Sequence, residues 1–285
     1  MKLAFIGLGA MGAPMAGHLA AAGHEMTVFN RGSAKSAAWV AAHGGRAGGS
    51  VAEAAAGCEM VLLCVGTDDD MREVVEAALP APQAGAIVVD HTTTSARLAR
   101  EMAALALARG RHFLDAPVSG GEAGARNGAL SIMIGGEAGA VERASPVIGA
   151  YAKAITRMGE AGAGQLAKMV NQICIAGVVQ GLAEAVAFAR HAGLDPTLVH
   201  EAISKGAAQS WQMDNRWATM AEGRFEFGFA VDWMRKDLGL VLDEARANGA
   251  RLELTALVDQ FYAEVQAMGG ARWDTSSLAA RLAPR

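Results

Sequence analysis

Three glycines, Gly7, Gly9 and Gly12, follow the short apolar run Leu3-Ala4-Phe5-Ile6 in a Gly-x-Gly-x-x-Gly pattern. A strand that turns tightly and re-enters as a helix needs these positions bare. One makes the turn, one lets backbone approach a pyrophosphate, and one allows close helix–strand contact. The helix then offers unbonded N–H groups and partial positive charge to the phosphates. A start of this kind points to a dinucleotide-binding α/β domain, with Gly7, Leu8, Gly9, Ala10, Met11 and Gly12 as the cradle.

The rest of the first half agrees. Strands are predicted at 2–6, 26–29, 60–65, 86–90, 112–114 and 130–134, and helices at 10–22, 51–56, 71–79, 95–109 and 137–148. Strand and helix alternating at this spacing build a parallel, doubly wound sheet. Residues 159–164 read Gly-Glu-Ala-Gly-Ala-Gly and suggest a flexible joint. Residues 165–192 then run without Pro, with Leu166, Met169, Val170, Ile173 and Gly177 on a helical period. Gly193-Leu194-Asp195-Pro196 ends that helix and opens the next. The expected fold is a Rossmann-type doubly wound domain over 1–160 and an all-α domain for substrate and dimerisation over 161–285. A long interdomain helix joins them.

Composition narrows the function. A chain of 285 residues can bury about three quarters of its unfolded surface, so neither disulfide nor metal is needed to fold it. With 52% hydrophobic residues and a net charge of −4, disorder is excluded, and no basic surface for nucleic acid is expected. The three cysteines form no Cys-x-x-Cys pair, which suits a reducing cytoplasm, and no zinc-ligand spacing occurs. The first apolar run is too short for a signal peptide. The run at 173–179 is too short for a membrane span and is flanked by Lys168, Asn171, Gln172, Gln180 and Glu184.

Three further groups carry chemistry. Where an NAD site places an acid at the end of the second strand, this chain has Phe29-Asn30-Arg31, with Ser33 and Lys35 following. The Arg31 guanidinium can pair with a 2′-phosphate, so NADP is favoured over NAD. Ser119-Gly120-Gly121, after Asp115-Ala116-Pro117-Val118, can offer a hydroxyl and successive N–H groups to a carboxylate. Lys168, Asn171 and Gln172 stand at i, i+3 and i+4 and share one helix face. A lysine ammonium there can protonate the alkoxide that forms when a carbonyl accepts hydride. Neither Tyr151 nor Tyr262 begins a Tyr-x-x-x-Lys pair, while spacing alone leaves His-based schemes open. Trp211, Phe229 and Trp233 could line the pocket, but as bulky apolar residues they are expected in the helix-packing core.

Taken together, GLGAMGAPMA from Gly7, FNR from Phe29, DAPVSGGEAGARNGAL from Asp115, GAGQLAKMVNQ from Gly162 and KDLGL from Lys236 resemble the β-hydroxyacid dehydrogenase family. The resemblance covers nearly the whole chain. It implies a metal-free oxidoreductase that moves hydride between nicotinamide and a small carboxylate-bearing aldehyde or β-hydroxy acid, as 3-hydroxyisobutyrate dehydrogenases and short semialdehyde or glyoxylate reductases do. It further implies pyrophosphate on Gly7–Gly12, the adenosine ribose and its phosphate at Asn30 and Arg31, and Thr93 near the nicotinamide ribose. Ser119, Gly120 and Gly121 would take the substrate carboxylate, Lys168 would be the general acid and base, Asn171 would orient the substrate oxygen, and Lys236 would close over the cofactor. The family pattern reads Lys-x-x-Asn-Asn; here Asn171 is followed by Gln172, whose extra methylene would shift a substrate contact by about an ångström. A homodimer or homotetramer is expected. A non-catalytic dinucleotide-binding regulator and an imine reductase are the alternatives on the same scaffold. A 6-phosphogluconate dehydrogenase has a helical domain much larger than 161–285 allows.

Overall fold

The computed structural model describes residues 1–282. The chain divides into two compact units, Met1–Lys168 and Met169 onward. In the first, β1 (Lys2–Ile6), α1 (Gly12–Ala21), β2 (Glu25–Phe29), α2 (Ser33–His43), β3 (Arg46–Ala47), α3 (Val51–Ala55) and β4 (Met60–Leu63) follow in order. Then come α4 (Asp68–Ala78), β5 (Ile87–Asp90), α5 (Ala96–Ala108), β6 (His112–Asp115), β7 (Val118–Ser119) and α6 (Gly121–Arg126). The unit continues through β8 (Leu130–Gly135), α7 (Ala138–Ile148) and β9 (Ala152–Gly159) into the start of α8 (Ala163–His191).

The sheet order is β3-β2-β1-β4-β5-β6-β8-β7, with β9 on β8. From β3 to β6 every pairing is parallel; β8 runs antiparallel to β6 and β7. Successive side chains of a strand face opposite sides, so a sheet covered on both faces needs apolar residues throughout. Leu3 and Phe5 enter one core with Leu62 and Val89, while Ala4 and Ile6 enter the other with Val61, Leu63 and Val88. The strand order reverses between β1 and β4, the place where doubly wound sheets open a crevice beyond the strands' carboxyl ends.

Several details depart from the sequence reading. α2, which begins at Ser33, and β3, β7, α6 and β9 have no counterpart among the predicted elements. β9 lies largely exposed, so its alternation carries no apolar signal. The expected flexible joint shrinks to residues 160–162, and the Gly162 N–H donates to Asp115 Oδ1 at 2.7 Å. The expected apolar stripe of α8 coincides only in part with its buried face: Met169 is buried, Leu166, Ile173 and Gly177 are half-buried and Val170 is 60% exposed, whereas Gln165, Lys168, Gln172 and Gln180 are buried.

In the second unit the remainder of α8 is followed by α9 (Pro196–Ile203), α10 (Trp211–Glu222), α11 (Val231–Asn248) and α12 (Glu253–Ala267). As expected, Gly193 is left-handed (φ 68°), and Asp195 caps α9 by accepting from the Thr197 N–H with Pro196 at the first position. Val179, Trp217, Met234, Leu238, Tyr262 and Val265 share its core. Trp211, Phe229 and Trp233 are not in it, being 58%, 38% and 38% exposed. Two of these rings lie under cations instead, Trp211 under Arg216 and Trp233 under the Lys236 ammonium.

Candidate active site

The glycine turn divides its work visibly. Gly7 is left-handed (φ 93°), its N–H donates to the Phe29 carbonyl, and a Cβ on it would overlap the Cys64 carbonyl oxygen. A Cβ on Gly12 would overlap the Gly7 carbonyl oxygen. Gly9 is exposed, and a Cβ there would meet nothing within 4 Å. Packing within the chain thus requires Gly7 and Gly12 but not Gly9, whose bare backbone suits the close approach of a phosphate. The N-terminus of α1 has no side-chain cap and no acidic residue in its first turn. Its N–H groups and dipole suit an anion, and the cradle fits a dinucleotide's pyrophosphate.

At the end of β2, Asn30 Oδ1 accepts from the Leu8 N–H at 3.0 Å and its Nδ2 donates to the Gly32 carbonyl, which fixes the turn against the strand. Arg31, 82% exposed, pairs with Asp70 at 3.0 Å. Ser33 stands exposed at the first position of α2, behind Gly32 at a cap without a side-chain bond.

At the ends of β5 and β6 three segments interlock. Thr92 donates its N–H to Asp90 Oδ1 (2.9 Å) and accepts at Oγ1 from the Val65 N–H (3.0 Å). Gln165 donates from Nε2 to the Thr92 carbonyl (2.8 Å) and accepts at Oε1 from the Thr94 N–H (3.1 Å). Asp115 accepts from the Gly162 N–H at 2.7 Å and the Gln165 N–H at 2.9 Å. Burial pushes its carboxyl up to about 6, against the pull of these and other backbone N–H donors. His91 Nδ1 donates to the Ala116 carbonyl, so neutral Nε2 accepts from the Tyr151 hydroxyl, both at 2.7 Å. Burial pushes the imidazole down to about 4. Thr93 is the half-buried member of this loop. Beyond β6, Ser119 is half-buried, and Gly120 (φ 130°) and Gly121 (φ 61°) both take positive φ, which leaves the turn's backbone exposed. Lys168, 8% exposed, follows Gln165 by one helical turn.

In the helical unit Asn171 Nδ2 donates to Gln172 Oε1 (2.8 Å), and Gln172 Nε2 donates to Asp237 Oδ2 (2.7 Å). Asp237 Oδ1 lies 3.2 Å from Lys236 Nζ. Gln172 and Asp237, each 2% exposed, join α8 to α11, and the longer glutamine arm supplies the reach. Sequence reasoning missed Asp237, Gln165, Asp115 and His91 as contributors. For Asp237 the signal is its place directly after Lys236, an acid that can balance the lysine's charge.

Known proteins match nearly the whole chain. Residues 2–159 match the family profile described as the NAD binding domain of 6-phosphogluconate dehydrogenase. Residues 162–282 match the one described as NAD-binding of NADP-dependent 3-hydroxyisobutyrate dehydrogenase. An uncharacterized oxidoreductase of Shewanella frigidimarina is 60% identical over 99% of this chain and 98% of its own. The 2-hydroxy-3-oxopropionate reductase of Escherichia coli is 36% identical over 98% and 96%. The solved structure of Mycobacterium tuberculosis 3-hydroxyisobutyrate dehydrogenase with L-serine superposes with a TM-score of 0.91 at 35% identity, covering 99% of both chains.

Proposed function

The chain belongs to the β-hydroxyacid dehydrogenase family of nicotinamide-dependent oxidoreductases, and on that premise we propose that it prefers NADP and interconverts a short β-hydroxy acid with the matching aldehyde acid, Lys168 exchanging the proton. The burial of Lys168 on a helix latched to the loop of Thr92–Thr94 carries this reading. A lysine that served only solubility would keep its ammonium in water.

The bound nicotinamide supplies or accepts the hydride. Gly7–Gly12 cradle the pyrophosphate, and Asn30, Arg31 and Ser33 take the adenosine ribose and 2′-phosphate, with Arg31 giving the planar fork that matches a phosphate. Thr93 and Lys236 complete the cofactor contacts. Ser119, Gly120 and Gly121 hold the substrate carboxylate by hydroxyl and N–H donors, and orient the carbonyl three bonds away or fewer. During reduction Lys168 gives a proton to the forming alkoxide; during oxidation the neutral amine removes it from the hydroxyl. Asn171 orients that oxygen, and Gln172 holds Asn171 in register. L-serine, named with the Mycobacterium structure, is itself a short β-hydroxy acid. The cysteine pattern suits the cytoplasm, and the open apolar residues of the helical unit suit a homodimer or homotetramer.

The test is a panel of glyoxylate, succinic, methylmalonate and tartronate semialdehydes, and cyclic imines, each with NADPH and NADH. Turnover of an aldehyde acid with lower KM for NADPH is expected. Lys168→Ala should cut kcat by at least roughly a hundredfold while NADPH still binds, as measured by fluorescence titration. Near-normal kcat in that variant, or turnover of imines alone, overturns the assignment.

A further inference from the structure

We infer that Gln165 and Asp115 form a seat that sets the position of Lys168 relative to the cofactor-side loop. This rests on the assignment of Lys168 as the proton-transfer group. It extends that assignment to two buried residues whose hydrogen bonds go to backbone groups of neighbouring segments.

A helix begins with four N–H groups that lack intrahelical partners. At the start of α8 two of the backbone N–H groups are met not by a local cap but by Asp115, fully buried at the end of β6 and 47 residues earlier. A carboxylate in that place also complements the helix dipole. The approach is close enough to dictate sequence. Gly162 takes a positive φ of 91°, and a Cβ on Gly164 would lie 2.5 Å from both the Asp115 and Met133 carbonyl oxygens. The Gly162-Ala163-Gly164 stretch lets α8 press its first turn onto the ends of β6 and β8.

Gln165 then fixes the helix's rotation. Its amide engages one backbone donor, the Thr94 N–H, and one backbone acceptor, the Thr92 carbonyl. A carboxylate in its place would set oxygen against the Thr92 carbonyl, and an apolar side chain would leave both groups unpaired in a buried setting. Thr92 is pinned in turn by Asp90 and Val65. The Ala116 backbone, three residues before Ser119, is tied to the same loop through its N–H to the Asp90 carbonyl and its carbonyl to His91. Lys168 follows three residues after Gln165 on the same helix face. The root of its side chain is therefore registered to residues 92–94, and a displacement of about 1 Å at a reacting group can cost roughly a hundredfold in rate.

Gln165→Met keeps length and apolar stem and removes both hydrogen bonds. In the full-length chain, with NADPH and the best aldehyde acid of the panel, we expect kcat to fall roughly 10- to 100-fold while KM for NADPH stays within about threefold. In parallel, acetylation of Lys168 by acetic anhydride is followed by mass spectrometry across pH, which requires no substrate. The acetylation rate, compared with wild type at each pH, should change by about threefold or more, because the side chain loses its fixed setting. A folded Gln165→Met with wild-type kcat and a wild-type acetylation profile overturns the inference. Should that variant not fold, Gln165→Glu retains the acceptor for Thr94 but not the donor for Thr92, and must give the same split. A wild-type chain that reduces none of the panel, yet whose Lys168 profile moves on substitution, sustains the seat and removes the assigned activity instead.

Discussion

Burial acts on Asp115 and His91 in opposite senses. The Asp115 carboxyl, raised to about 6 from an ordinary 3.8, binds its proton more tightly folded than unfolded, so ionising it costs stability. That cost is absent below about pH 3.8, grows as pH rises through 6 and is complete above it. The His91 imidazole, lowered to about 4 from 6.5, binds its proton less tightly when folded. Its contribution is complete above pH 6.5 and is lost as pH falls through 4. Each shift corresponds to roughly 3 kcal/mol, and in the intact chain the two largely offset one another between pH 4 and 6. Substitution separates them. Urea unfolding of Asp115→Asn, referred to wild type, should become relatively more favourable to the folded state as pH rises from 4 to 6. His91→Gln, which can still donate to Ala116 and accept from Tyr151, should become relatively less favourable from 4 to 6.5. Equal slopes in the two variants would contradict the burial argument.

At the scale of elements, the β1–turn–α1 unit separates a glycine needed for folding from one needed for a ligand. Gly12→Ala forces a Cβ into the Gly7 carbonyl and should lower unfolding free energy by about 1–3 kcal/mol or more. Gly9→Ala meets open space and should leave stability within about 0.5 kcal/mol, yet raise KM for NADPH several-fold, because a methyl group stands where phosphate approaches. Thermal melts and steady-state kinetics on both variants test the division, and a cofactor KM unchanged by Gly9→Ala removes the cradle from that position. What could be read in the sequence follows the same logic. β1, β4 and β5 announce themselves because a sheet buried on both faces must be written in apolar runs, and the turn because only glycine tolerates it. α2 stayed hidden because its cap, Gly32, makes no side-chain bond and only Ser36 and Trp39 of its residues are buried, too few to write an apolar period. β7, two residues long, has no period to detect. The buried face of α8 is rotated from the apolar stripe, which ordinarily marks the buried side, and keeps only Met169 of it fully inside. Here Gln165, Lys168 and Gln172 go inside, at the expense of Val170. The seat was invisible for a related reason: Gln165 is partnered by backbone atoms 71 and 73 residues away, and backbone partners leave no residue type to recognise.

At the scale of the whole molecule, the distribution of apolar surface argues for self-association. α8 is long and apolar enough, by length and composition alone, to cross a bilayer, with a mean hydropathy of 1.6 over its best 18-residue window. Its buried side, however, carries a lysine and three glutamines, and Gln165 and Gln172 are hydrogen-bonded to neighbouring segments within their own units. That pattern belongs to a helix whose partners are protein rather than lipid, since a lipid-facing stem would leave those groups costly to bury. Open apolar side chains cluster at the C-terminal end of α8 and just beyond it. Phe188 is 72% exposed, Leu194 52% and Leu198 62%. Phe188 and Leu194 border a groove of about 610 Å³ that Ala185, Val199, Ile203 and Trp217 also line. Open apolar patches of this kind mark places where another surface sits, and a second copy is the partner always present at matching concentration. With a net charge of only −4, repulsion between copies is weak. Light scattering should therefore give two or four times 29.3 kDa. Phe188→Glu with Leu198→Glu should shift the mass toward one copy, because two buried carboxylates without partners would cost several kcal/mol at an interface. A wild-type mass of one copy at micromolar concentration would leave the groove without that occupant.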